Sequence, residues 1–385
     1  MISEVSVTDG RRVRVLVDAT AVPPDRGGVG RYLDDLLPEL SAAGVDLVVV
    51  AQPRDVEQMR SRLVGAQVVA APGAVSSRPV RLVWEQVMLP VLAHRLRADV
   101  VHSPHYTMPL LTRRPVVVTL HDATFFSHPE LHSPLKARFF RTWIRVAARR
   151  AAVLVAPSQA TRREVVRVTS VDEDAVVVAP HGVDARVFRQ VDAQEQARVA
   201  RALGLHGRRW VAFLGTLEPR KNVPSLIRAW VRACEGTPDP PVLVLAGGRG
   251  WDTEVDPAVA AVPPGLTLVR PGYLALDDLA GYLSGAAVVA YPSKGEGFGL
   301  PVLEAMACGA AVVTTRELSL IEVGGDAVAY CDIDADSIAE VLRGLLDDDA
   351  ERQRLSRAAR ERAASFTWEV SAARHVEAYR RAARR

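Results

Sequence analysis

Short runs rich in valine and leucine recur along this chain, separated mostly by segments long enough for a helix. Val13–Val17, Leu47–Val50, Asp99–His102, Val116–Leu120, Val153–Ala156 and Ala175–Ala179 form one series. Trp210–Leu214, Val242–Ala246, Leu266–Val269, Ala287–Tyr291, Ala311–Thr314 and Ala327–Tyr330 form a second. Continuous apolar runs of this length suit strands buried on both faces. Helical spacers between them imply right-handed crossovers and parallel sheets. The expected architecture is α/β: two facing doubly wound, Rossmann-like domains with an inter-domain cleft. Residues 1–185 make the first domain and 186–366 the second, joined by the loop Pro180 to Asp184. Ligands of such sheets bind beyond the C-terminal ends of the strands, which here face the cleft.

Composition narrows the function classes. At 385 residues the chain suits two domains. Its 48 basic and 45 acidic residues leave a net charge of +3, which argues against a nucleic-acid partner. Residues 1–185 hold 23 basic and 19 acidic residues, so the excess lies in the first half. Three scattered cysteines do not make a disulfide framework or a zinc site. Met1 to Gly10 contains Glu4 and Asp9 and no apolar core, so a signal peptide is not expected. No apolar run is long enough for a membrane span. The expected location is cytoplasmic. Arginine so dominates lysine that each lysine is worth inspecting.

The segment Gly295-Glu296-Gly297-Phe298-Gly299-Leu300-Pro301, continuing to Glu304 and Gly309, carries the most information. It follows the strand Ala287–Tyr291. Pro301 suits the first turn of a helix. The glycines let backbone approach a ligand, and the free N–H groups of a helix start suit a phosphate. Glu304 falls one turn into the helix; Glu296 lies in the loop before it. The alternative is a glycine-rich connector with two surface glutamates.

Three further strand ends carry chemistry. Gly215-Thr216-Leu217-Glu218-Pro219-Arg220-Lys221-Asn222 places one of the lysines beside an arginine. Such cations can stabilise a departing diphosphate. The run Gly27-Gly28-Val29-Gly30-Arg31-Tyr32 reads as a glycine-rich turn after the first strand, yet Leu33 stands where a dinucleotide fingerprint needs glycine. His121 and Asp122 directly follow Val116–Leu120. Asp332, Asp334 and Asp336 contain a D-x-D pattern, read as a helix cap.

The spacing of Glu296 and Glu304 resembles the E-x7-E signature of retaining GT-B glycosyltransferases, in particular glycosyltransferase family 4. The resemblance runs over nearly the whole chain. It implies a GT-B fold whose last helix, within 367–385, packs back onto the first domain. It implies Glu296 and His121 as catalytic residues beside the transferred sugar, with Asp122 orienting His121 or touching the acceptor. Gly28, Gly30, Arg220, Lys221, Tyr273, Gly297, Phe298, Gly299, Leu300 and Glu304 would bind the donor. Glu304 would hold the ribose, and Arg220 with Lys221 the diphosphate. Many members carry arginine where Thr216 stands, which weakens the match of the clamp.

The resemblance further implies no cofactor and no metal, only a nucleotide-diphosphate sugar as donor. GDP-mannose is the first expectation. The acceptor is a hydroxyl of a glycan, a lipid-linked or a small molecule. Attack from the face that the leaving group departs would retain configuration. The alternatives are a GT-B nucleotide-sugar epimerase or hydrolase, and a non-catalytic nucleotide-sugar-binding protein. Separately, Arg138, Arg141, Arg145 and Arg149 share one stripe of the helix expected at 133–150. That stripe is a candidate for peripheral contact with the inner face of the membrane.

Overall fold

A computed structural model describes residues 12–23, 28–205 and 207–385. Gly27 of the glycine turn and the N-terminal segment 1–11 lie outside the described residues. The first sheet contains β1 (Arg14–Asp18), β2 (Asp46–Ala51), β3 (Gln67–Ala70), β4 (Val100–Ser103), β5 (Val116–Thr119), β6 (Val153–Ala156) and β7 (Val176–Val178). Its spatial order is β3-β2-β1-β4-β5-β6-β7, parallel throughout. The second contains β8 (Trp210–Leu214), β9 (Val242–Ala246), β10 (Leu268–Gly272), β11 (Val288–Tyr291), β12 (Val312–Thr315) and β13 (Ala329–Cys331), ordered β10-β9-β8-β11-β12-β13 and again parallel. Both sheets are doubly wound, the strand order reversing between β1 and β4 and between β8 and β11. These are the crevices where such sheets bind ligands.

The sequence reading differs from this in three places. β3 was not expected, because Gln67–Ala70 is a short, partly exposed edge strand without a continuous apolar run. The strand expected at Leu266–Val269 lies at Leu268–Gly272, so Tyr273 directly follows it. Gly28 and Gly30 do not form a loop. They occupy the first turn of the Gly28–Ala42 helix, whose apolar face carries Leu33, Leu36, Leu37 and Leu40 into the core.

The helix Trp368–Ala383 belongs to the core of the first sheet, not the second. A buried chain of hydrogen bonds ties it there. Tyr379 Oη meets His102 Nδ1 at 2.9 Å, and His102 Nε2 meets Thr119 Oγ1 at 2.9 Å. Thr119 meets Tyr32 Oη at 3.0 Å, and Tyr32 meets His375 Nε2 at 2.7 Å. Burial holds His102 and His375 below the usual imidazole range, so the network is neutral. Buried polar groups satisfied in this way fix one packing arrangement.

The chain therefore crosses between the two units twice. Gly182 is where the crossings touch. A Cβ there would lie 2.2 Å from the Trp368 amide nitrogen, and Val183 N–H donates to the Phe366 carbonyl at 3.0 Å. Among the described residues no helix is long and apolar enough to cross a membrane.

Candidate active site

The two crevices open into one cleft of about 840 Å³ lined from both units. Its floor on the second unit is the β11–helix connection. Gly299 adopts φ of 104°, a conformation open to glycine, and turns the chain into the helix Leu300–Ala307. Gly297, Phe298, Gly299, Leu300 and Glu304 line the cleft there. So do Thr216, Arg220 and Lys221 from the β8 connection, and Tyr273 after β10.

Glu296 is the centre of this wall. It is 7% exposed and bonded on both carboxylate oxygens. Lys221 Nζ donates to Oε1 at 2.6 Å, Tyr291 Oη at 2.9 Å and Ser293 Oγ at 2.9 Å. The Arg220 guanidinium pairs with Oε2 and also donates to the Gly295 carbonyl at 2.8 Å. Burial alone would raise the Glu296 carboxyl, but Arg220 and Lys221 overcome it and hold it at about 2. Burial and the Arg220 charge push the Lys221 ammonium down, with Glu296 opposing. Glu218, which also lines the cleft, pairs with Arg220 at 3.6 Å, so two cations and two carboxylates meet at this wall.

Local backbone makes this convergence possible. Pro219–Lys221 forms a single 3₁₀ turn that ends at Asn222 with φ of 59°. Asn222 Nδ2 donates to the Ile333 carbonyl at 2.7 Å, which fixes the turn. The Arg220 carbonyl accepts from Lys294 N–H at 2.8 Å and from Ser293 Oγ at 3.1 Å. The two strand-end loops are thus stitched together below the triad.

The first unit supplies the opposite wall. His121 Nε2 lies 2.7 Å from the Pro104 carbonyl. A carbonyl only accepts, so Nε2 carries the proton and Nδ1 keeps its lone pair. Burial lowers the imidazole below its usual range, with Pro104 opposing, so His121 is neutral at pH 7. Asp122 does not orient it. The Asp122 carboxylate accepts from Thr124 N–H at 3.1 Å and Thr124 Oγ1 at 2.8 Å. The orienting group is Pro104, which sequence spacing does not reveal. Gly28 faces the cleft, while Gly30 is buried behind it.

The two walls are in contact. A Cβ on Gly297 would lie 1.7 Å from the His121 carbonyl oxygen. The Gly297 carbonyl accepts from Ser158 Oγ at 2.7 Å and Thr161 Oγ1 at 3.0 Å. Glu322 reaches across as well. Its carboxylate accepts from the N–H groups of Gln159 and Ala160, at 2.8 and 2.5 Å. It caps the start of the Gln159–Thr169 helix, where the free N–H groups favour an anion.

One residue not singled out from the sequence completes the site. Arg31 crosses the cleft and pairs with Glu304 Oε1. Glu304 Oε2 is buried without a partner. Burial raises the Glu304 carboxyl, and Arg31 opposes that rise. The D-x-D aspartates lie elsewhere. Asp334 caps the Ala335–Asp347 helix by accepting from Asp336 and Ser337 N–H, both at 3.0 Å.

Comparison with known proteins places these features. Residues 26–187 match the model for Glycosyltransferase Family 4, and residues 175–362 match Glycosyl transferases group 1. The chain is 30% identical over 283 residues to O-antigen chain mannosyltransferase B of Escherichia coli, covering 73% of this chain and 74% of that one. It is 29% identical over 397 residues to D-inositol 3-phosphate glycosyltransferase of Corynebacterium diphtheriae, covering 92% and 90%. Among solved structures, Anabaena HepE with UDP-glucose superposes with a TM-score of 0.75 at 18% identity, over 95% of this chain and 98% of that one. Sucrose-phosphate synthase from Thermosynechococcus elongatus gives 0.77 at 19%, over 96% and 98%. The structural likenesses establish the fold.

Proposed function

The chain belongs to glycosyltransferase family 4, and on that premise we propose that it transfers a hexose from a nucleotide-diphosphate sugar with retention of configuration. The observation that carries this is the buried Glu296–Arg220–Lys221 triad, set in the cleft wall facing His121. In this reading the diphosphate lies against Arg220 and Lys221 and the first turn of the Leu300–Ala307 helix. The Glu304 carboxylate, which lines the cleft, holds the ribose hydroxyls. Tyr273 lines the path to the base.

The C1–O bond to phosphate breaks, and the acceptor oxygen forms its bond to C1 on the same face. The acceptor proton passes to the departing phosphate oxygen. Negative charge on that leaving group meets Arg220 and Lys221 without reorganisation, so the step is proposed as metal-independent. Glu296 stays ionised and sits where the sugar ring gains positive charge. His121 Nδ1 accepts a hydrogen bond from a sugar hydroxyl.

GDP-mannose is the proposed donor, supported by the likeness to a relative described as a mannosyltransferase. HepE was solved with UDP-glucose, so the base is the first thing to test. Thermal melting with GDP, UDP, dTDP and ADP tests it directly. A ligand at about 100 times its Kd stabilises by roughly 2.7 kcal/mol. A selective shift with GDP supports the donor; a selective shift with another base replaces it. The anomeric configuration of the first product, read by NMR, tests retention.

A further inference from the structure

We propose that the outer face of the Arg78–Arg95 helix, together with the adjoining Leu110–Leu111 loop, docks on the surface of an anionic phospholipid bilayer. The helix turns Trp84, Leu89 and Ala93 toward the sheet. Its opposite side does not become polar. Val80, Val83, Val87, Met88 and Val91 follow helical spacing along one face, and all are exposed, Val83 to 64%. Gln86 ties a second apolar element beside them. Its Nε2 donates to the Met108 carbonyl at 2.9 Å, and its Oε1 accepts from Leu110 N–H at 2.8 Å. Leu110 and the 70% exposed Leu111 extend the stripe. Seven of the 15 large apolar side chains exposed among the described residues lie here, so this is a patch and not scatter.

Charge selects the occupant. Residues 77–98 and 107–115 contain Arg78, Arg81, Arg95, Arg97, Arg113 and Arg114. The one carboxylate among them, Glu85, is 2% exposed. The Pro134–Arg150 helix covers the same face of the sheet and exposes Arg138, Arg145 and Arg149. A second copy seated symmetrically on this face would set arginine against arginine. An anionic bilayer accepts both features, apolar side chains below the headgroups and guanidinium groups among them. Arg81 lies within electrostatic reach of Asp18, the last residue of β1, so the stripe begins at the cleft end of the sheet. An acceptor carried in the bilayer would then meet the cleft at its mouth. That last consequence rests on the transferase reading; docking itself does not.

The test is co-sedimentation of the full chain with phosphatidylcholine vesicles, with and without phosphatidylglycerol. Binding should need the anionic lipid and fall with salt. Val83→Glu with Val87→Glu should abolish it. Arg95→Ser and Arg113→Ser should each weaken it about fivefold, the equivalent of roughly 1 kcal/mol per charge. All four positions are exposed, and an unchanged melting curve verifies the fold. No binding at low salt, or full binding by the glutamate variant, overturns the proposal. So does a wild-type dimer that the glutamate variant splits, which would assign the face to a second copy. The nucleotide melting shift is read in parallel. Its absence in the wild type would remove the donor-site reading and leave the vesicle result standing.

Discussion

Arg31 and Glu304 stand 273 residues apart and form an ion pair across the cleft, one from each unit. Arg31 takes only Oε1, and Oε2 is buried without a partner. Burial pushes this carboxyl up, and Arg31 is the charge that opposes protonation. Arg31→Ala should therefore weaken nucleotide binding by about tenfold, the scale of one hydrogen bond to a charged group. The loss should deepen as pH falls, because a protonated Glu304 is a poorer acceptor. Calorimetric titration of the nucleotide at several pH values checks this. Equal affinity in variant and wild type would leave Arg31 with no part in donor binding.

Glu296 neutralises part of the charge that is proposed to hold the diphosphate. Its replacement should separate binding from turnover. Glu296→Gln keeps the shape but releases Arg220 and Lys221 from their anion. Nucleotide-diphosphate affinity should rise several-fold while turnover falls by at least about a hundredfold, the range found for a lost electrostatic catalytic group. Lys221→Ala should weaken both. The glutamine variant should also be less stable, since breaking a buried ion cluster costs about 3–5 kcal/mol. Kd and kcat measured on the two variants decide the matter. A glutamine variant with normal kcat would remove Glu296 from the reaction.

The two glycines that face the cleft from opposite walls should behave oppositely. Gly297 has the His121 carbonyl where a Cβ would go, so Gly297→Ala must push the walls apart. Turnover should collapse, with an increased radius of gyration in solution scattering, because the units no longer close. Gly28 has nothing within 4 Å of that position and lies in a helix. Gly28→Ala should fold with the walls still closed and gain up to about 1 kcal/mol of stability.

These sites differ in how far the sequence reveals them. The valine runs and the Gly295–Gly309 segment specify strands, crossovers and a ligand-facing helix start, because each signal is local. Glu296 and Lys221 were legible from chemistry at strand ends. Their mutual pairing was not, since it depends on β8 lying beside β11. Arg31 carried only the signal of a cation in the first turn after a glycine run. Glu322 clasps the Gln159–Thr169 helix, a contact between two units that no local pattern in the sequence announces. The stretch Val80–Arg97 reads as a helix from its sequence, and the helix lies at Arg78–Arg95, but an apolar helix that is covered on one face reads like one covered on both. Only the folded surface distinguishes Val83 from Trp84.

Glu85 gives the clearest pH prediction. Its side chain is buried beneath the arginine-rimmed face, accepting from Thr107 Oγ1 at 2.7 Å. Burial first, then the nearby Asp18 charge, raise its carboxyl from 4.5 to about 8. The folded value lies above the unfolded one, so folding favours the protonated form. That stabilisation is full below about pH 4.5 and is lost as pH rises through about 8. Wild-type stability should accordingly fall between pH 5 and pH 8 by an amount on the order of a few kcal/mol, less whatever other groups contribute. Glu85→Gln mimics the protonated form and should flatten this slope, melting higher than wild type at pH 8 and about equally at pH 5. Urea unfolding of both proteins across this range measures the difference. Parallel slopes would mean that Glu85 is ionised in the fold, with Arg81 outweighing its burial.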